Sequence, residues 1–180
     1  MNKLIQVAGA IGMLFAAQGQ GPARPEVPES LKAPAGEELI LAAHATGRQI
    51  YVCQAGADKK FAWVFKAPEA ELTDATGKKI ANHSAGPTWK HADGSEVKGK
   101  VVAKEDAPKV EAPKPEAIPW LLLSATSHSG EGVFSRVTSI QRIHTEGGMP
   151  LNDKYCDAST AGKEVATTYA ADYYFYALKP

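Results

Sequence analysis

A single pair of cysteines, Cys53 and Cys156, set far apart behind a short apolar leader, constrains this 180-residue chain more than any other feature. Lys3 supplies a positive start, Leu4 to Ala17 an apolar stretch, and Ala17-Gln18-Gly19 the small residues that suit cleavage. Residues 1–19 therefore read as an export signal, and the mature protein is expected in the periplasm or outside the cell. No cysteine follows the apolar stretch to carry a lipid anchor. No other stretch approaches the roughly 20 apolar residues of a spanning helix, so no transmembrane segment is expected in the mature chain. In an oxidising compartment a lone cysteine pair usually forms a disulfide. A loop of about 100 residues would restrict the unfolded chain by roughly 4–5 kcal/mol in the entropy account. A redox-active pair favours the C-x-x-C spacing, which is absent.

Such a staple suits a chain of many short strands, and the local pattern agrees. No long stretch repeats apolar residues with the 3.6-residue period of a helix. Glu38–Ala45 and Gln49–Gln54 read as strands, with Thr46-Gly47 as the turn between them. Phe61, Trp63 and Phe65 share one face of a third run, which Pro68 is expected to end. Asp74-Ala75-Thr76-Gly77 and Asp93-Gly94 are turn signals, the second flanked by Thr88–His91 and Val97–Val102 as a hairpin. Trp120–Ser127, Phe134–Thr145 and Tyr173–Leu178 complete the strand-like runs, with Gly147-Gly148 stopping the second. The expected fold is mainly β: an antiparallel sandwich or barrel with long loops and little helix. Residues 20–35, rich in Pro, Ala and Glu, read as an extended, poorly structured leader. Residues 36–180 form one domain, with a Pro/Lys/Glu-rich loop at about 103–117.

Charge excludes some partners. Lys plus Arg and Asp plus Glu number 20 each, so no basic excess points to nucleic acid or anionic membrane.

Several separate motifs then converge on one resemblance. They are His83-Ser84-Ala85-Gly86-Pro87-Thr88-Trp89 followed by Asp93-Gly94-Ser95, and Ala117-Ile118-Pro119-Trp120-Leu121-Leu122-Leu123. Gly132-Val133-Phe134, Val137-Thr138-Ser139-Ile140-Gln141-Arg142 and Gly147-Gly148 follow, then Cys156-Asp157-Ala158 and Ala171-Asp172-Tyr173-Tyr174-Phe175-Tyr176. From about Val27 to Leu178 the chain resembles a family of exported bacterial and fungal proteins known as a domain of unknown function, number thirty-four fifty-five. The resemblance implies an exported single domain and supplies no catalytic residues. Some fungal relatives carry a malate dehydrogenase label. This chain has neither the G-x-G-x-x-G turn nor the βαβ rhythm that dinucleotide chemistry needs.

Four groups of residues are candidates for chemistry. His83, Trp89, His91 and Asp93 form the densest polar constellation. Trp89 and His91 share a strand face, and His83 with His91 offers zinc or copper two imidazoles, although H-x-H and H-E-x-x-H are missing. The plain alternative is a hairpin in which Asp93 is only a turn residue. Arg142 and His144 share a face of the long strand. Arg142 suits a carboxylate or phosphate and His144 suits acid or base work, or both pair across the sheet. Ser127 and His128 point to opposite faces and make a poor nucleophile and base. Trp63, Trp89, Trp120, Tyr173, Tyr174 and Tyr176 form a sugar platform if one of their faces is exposed, and a core otherwise.

The leading expectation is a non-catalytic binding or envelope-associated module. Its ligand is a small molecule, a sugar or an envelope component, and its surface is the His83–Asp93 hairpin. No cofactor is required by this reading. The rival is a metal-dependent or acid/base enzyme in which at least three of His83, His91, Arg142 and His144 meet in one cleft. A structural or stress-related exported protein is the third.

Overall fold

The computed structural model describes residues 23–108 and 116–180. The expected export signal at 1–19, residues 20–22 of the expected leader and residues 109–115 of the expected long loop lie outside the described residues. Eight strands follow in order: β1 (Glu37–Ala55), β2 (Phe61–Thr73), β3 (Lys79–Ser84), β4 (Thr88–His91), β5 (Glu96–Glu105), β6 (Trp120–Ser129), β7 (Val137–Gly147) and β8 (Glu164–Leu178). Each pairs antiparallel with the next, and β8 returns to β1 to close a barrel. The only helices among the described residues are single turns of 3-10 type at Glu29–Leu31, Val133–Arg136 and Asp153–Tyr155. No described helix is long and apolar enough to cross a membrane.

The barrel interior is filled by matching small residues on one side to large ones on the other. Ala43, Ala45, Ala70, Ala81 and Ala171 leave room for Trp89, Phe134, Tyr173 and Phe175, all buried in one cluster. Alternating small and large inward residues is how a narrow barrel fits its own taper.

Two turn expectations fail for reasons visible in this packing. Thr46-Gly47 is not a hairpin turn, because β1 runs unbroken for 19 residues. Gly47 lies opposite Ala70 in β2, and a Cβ there would overlap the Glu69 carbonyl oxygen and the Ala70 backbone. The glycine permits two strands to approach closely; it does not reverse the chain. Gly47→Ala should therefore cost roughly 2 kcal/mol through forced strand separation, measurable by urea unfolding. A variant as stable as the parent would show that β1 and β2 tolerate a wider spacing. Pro68 likewise does not end its strand. It pairs with Gln49 inside β2, close to a register shift between Ile50 and Tyr51, where a residue lacking an N–H is tolerated.

The expected turns at Asp74–Gly77 and Asp93-Gly94 are both present, and the second joins β4 to β5. β5 runs on to Glu105, so the chain leaves the barrel later than position 103. Residues 23–35 of the segment read as a loose leader are held against the barrel's outer wall. Leu31 is fully buried, its carbonyl accepts from Gln141 Nε2 at 2.6 Å, and the Arg24 guanidinium lies over the Tyr176 ring.

Cys53 and Cys156 form a disulfide. It joins β1 to the segment between β7 and β8, where Tyr51, Trp63 and the two cysteines make a second, smaller core.

Candidate functional site

The barrel has two unlike ends. At the end carrying the β4–β5 turn, Phe134 plugs the interior, fully buried against Phe175 with ring centroids 4.6 Å apart. Asp93 anchors this plug. One carboxylate oxygen accepts from the Ser95 N–H and hydroxyl at 2.8 and 2.6 Å, and the other accepts from the Val133 N–H at 2.8 Å. The Ser95 hydroxyl bond first, and the backbone N–H groups after it, hold the Asp93 carboxyl well below the usual carboxylate range. His91 lies 3.0 Å from Asp93 and edge-on to Phe134. His91 and Asp93 thus belong to the closed end.

The other end holds a cavity of about 160 Å³. Its inner wall is Trp89, Leu123, Leu121 and Tyr173, and its exposed rim includes Phe65, Lys66, Gly86 and Val101. His83 and Trp89 face each other across β3 and β4, because His83 and Trp89 are register partners. Their rings stack at 4.4 Å with planes 6° apart, and both rings lie edge-on to Tyr173. His83 Nδ1 is 2.9 Å from the Thr88 carbonyl oxygen, so this nitrogen carries the proton and donates it. Burial brings the His83 imidazolium down to about 4, against the pull of the Thr88 carbonyl and with help from the Arg142 cation. His83 is neutral at physiological pH.

Arg142 enters the same cavity from β7, paired in register with Tyr173 of β8 on one side and Leu121 of β6 on the other. Its Nη2 donates to the Pro119 carbonyl oxygen at 2.9 Å. Its buried Nε has no acceptor among the described residues, and no carboxylate there pairs with the guanidinium. Trp89 Nε1 and the hydroxyls of Tyr169 and Tyr173 are also buried without a hydrogen-bond partner among the described residues. The two phenols and the guanidinium lie close enough to act on one another's ionisation without forming a well-aligned bond. Burial pushes both phenols up, so both are neutral hydroxyls.

The expectation that Arg142 and His144 share a face is corrected here. The β7–β8 register shifts between Ile143 and Glu146, and His144 has φ 48°, in the left-handed region. That bulge turns His144 to the outer wall while Arg142 points inward. There His144 Nδ1 and His44 Nδ1 flank the Asp172 carboxylate at 2.9 and 2.8 Å, with Trp120 edge-on to His144. Of the four residues the enzyme reading needs together, only His83 and Arg142 line one cavity. His83 and His91, suggested for zinc or copper, turn to different partners. Among the described residues no group of three or more His, Cys, Asp or Glu side chains is placed to hold a metal ion.

The aromatic platform is also corrected. Trp63, Trp89, Tyr173 and Tyr176 are buried, so no exposed aromatic face joins them. Sequence reasoning named His83, Trp89 and Arg142 but assigned Tyr173 to a platform and passed over Tyr169, Leu121 and Leu123. The alternation Ala171-x-Tyr173-x-Phe175 was the available signal, because it sets a small residue and two rings on one face.

A family model described as a protein of unknown function (DUF3455) matches residues 34–177, and the chain belongs to that family. No curated protein matches the chain, and no solved structure does.

Proposed function

We propose that this member of the DUF3455 family is an exported, non-catalytic binding module that holds a small molecule in the end of its barrel. The observation that carries the reading is the cavity itself. It is walled mostly by apolar side chains and is entered by the half-buried guanidinium of Arg142, which no carboxylate among the described residues pairs. A ligand that pairs with this guanidinium while filling the apolar space gains from both. Small-molecule sites have this make-up: mostly apolar walls with a few convergent polar groups. The disulfide is consistent with an oxidising compartment.

The expected result is saturable binding of one-ring aromatic compounds, tested as a panel of all charge types by two-dimensional NMR. Shifts should concentrate on Trp89, Leu123 and Tyr173. Leu121→Phe, which fills the cavity, should abolish them while leaving the remaining spectrum in place. A folded protein that shows no shift at millimolar probe, or binding that survives Leu121→Phe, overturns the reading. The bare outcome would favour a purely structural role.

A further inference from the structure

We propose that the ligand of this barrel is a small organic anion, a monocarboxylate whose apolar body is about the size of one aromatic ring. The inference rests on the binding reading above and adds the chemistry of the ligand.

Charge comes first. An arginine side chain stays protonated at any pH the protein meets. Arg142 places that cation inside the barrel, and no carboxylate among the described residues pairs with it. Arg142 is half-buried, and a partly desolvated guanidinium gains most from a partner that is itself charged. Its hydrogen-bond acceptor is the neutral Pro119 carbonyl, and the neutral Tyr173 hydroxyl lies beside it. That bond fixes one arm of the fork and leaves the Nε–H free.

Hydrogen-bond type comes second. Besides His83 and Lys66, the polar side chains that line the cavity are Arg142, Trp89 and Tyr173. Two are donors only, and the Tyr173 phenol is neutral and able to donate. A site rich in donors with one fixed cation matches an acceptor-only, negatively charged group. The charged groups facing this space are Arg142 and, at the rim, Lys66, whose ammonium is engaged by Glu164. His83 contributes no charge.

Shape comes third. An inorganic anion would satisfy Arg142 but leave Leu121, Leu123 and the Trp89 ring facing empty space. A cavity of about 150 Å³ with apolar walls holds one benzene ring. The cavity here is about 160 Å³. The carboxylate is thus placed on Arg142 beside Tyr173, with the apolar body against Trp89, Leu121 and Leu123.

The test is isothermal titration of the wild-type protein and of Arg142→Met with sodium benzoate, benzamide and inorganic phosphate. Benzamide keeps the ring and the planar head but loses the charge. Benzoate should bind wild type at least about tenfold more tightly than benzamide, as a charge-assisted bond implies. Arg142→Met should lose that preference while still binding benzamide. If Arg142→Met does not fold, Arg142→Lys and Tyr173→Phe serve instead, each expected to narrow the benzoate preference. Equal binding of benzoate and benzamide overturns the carboxylate inference and leaves the cavity reading standing. Tighter binding of phosphate than benzoate overturns the organic part. If none of the three probes and no neutral one-ring compound binds, the binding reading fails as well.

Discussion

Replacing Cys53 and Cys156 together by serine should lower the thermal midpoint by roughly 10–15 °C, the shift expected when a domain of this size loses about 4 kcal/mol. The disulfide spans a sequence separation of 103 residues. Its removal restores freedom to most of the unfolded chain while changing few native contacts. Those few sit at the cavity end. Cys53 donates its N–H to the Lys163 carbonyl and accepts from the Gly162 N–H, so β1 is bonded to the β7–β8 connection beside the staple. Trp63 packs on the same pair and donates its backbone N–H to Asp153. The loss should therefore appear first at Trp63 and Tyr51, as early exchange of their amide hydrogens, before the barrel opens as a whole. Calorimetry of the oxidised, reduced and doubly substituted proteins checks this. A midpoint within a few degrees of wild type would mean that barrel closure, rather than the staple, holds β1 to its neighbours.

How much of this was legible beforehand follows from which interactions are local. Asp74-Ala75-Thr76-Gly77 and Asp93-Gly94 carry their turn chemistry in four residues or fewer, and both turns form where the sequence places them. The pairing of β1 with β8 joins the first strand to the last, so no window of sequence contains it. That pairing alone separates a barrel from a sandwich. Gly47 failed as a turn signal for a related reason. A glycine marks close approach as readily as reversal, and what approaches is β2, more than twenty residues away. The leader shows the same limit. Leu31 sits in a Pro-rich stretch, yet it is fully buried and its carbonyl accepts from Gln141, 110 residues further along the chain.

The site was half legible. His83 and Trp89 stand on either side of one short hairpin turn, so their stacking follows from pairing β3 with β4. Arg142 was named for its chemistry, but its partner was misassigned, because strict alternation carries His144 to the same face. The bulge at His144 breaks the alternation, and nothing in Arg142-Ile143-His144-Thr145 announces it. For Tyr173 and Tyr174 both faces of the strand are aromatic. The pattern then shows which residues lie together and not which of them lie inside.

On acidification the protein should lose about 3 kcal/mol between pH 6.5 and pH 4 through His83 alone. The sign follows from where the proton is bound. In the unfolded chain the imidazole has its ordinary pKa of 6.5, and in the folded barrel burial holds it near 4. Between these values the unfolded state binds a proton that the folded state refuses, so stability falls as pH falls. Above 6.5 neither state is protonated and the contribution is flat; below 4 both are, and the loss is complete. The acidic side chains contribute a separate limb. Asp93, held in its ionised form chiefly by Ser95, destabilises the fold only as pH drops through the carboxylate range, below most of the His83 window. The two limbs are separable by His83→Gln, which keeps an N–H for the Thr88 carbonyl and removes the titration. Urea unfolding at a series of pH values, followed by tryptophan fluorescence, should show wild type and His83→Gln diverging below pH 6.5. Parallel curves from pH 7 to pH 4 would place His83 in contact with solvent and would move the cavity's inner wall from Trp89 to a shallower position.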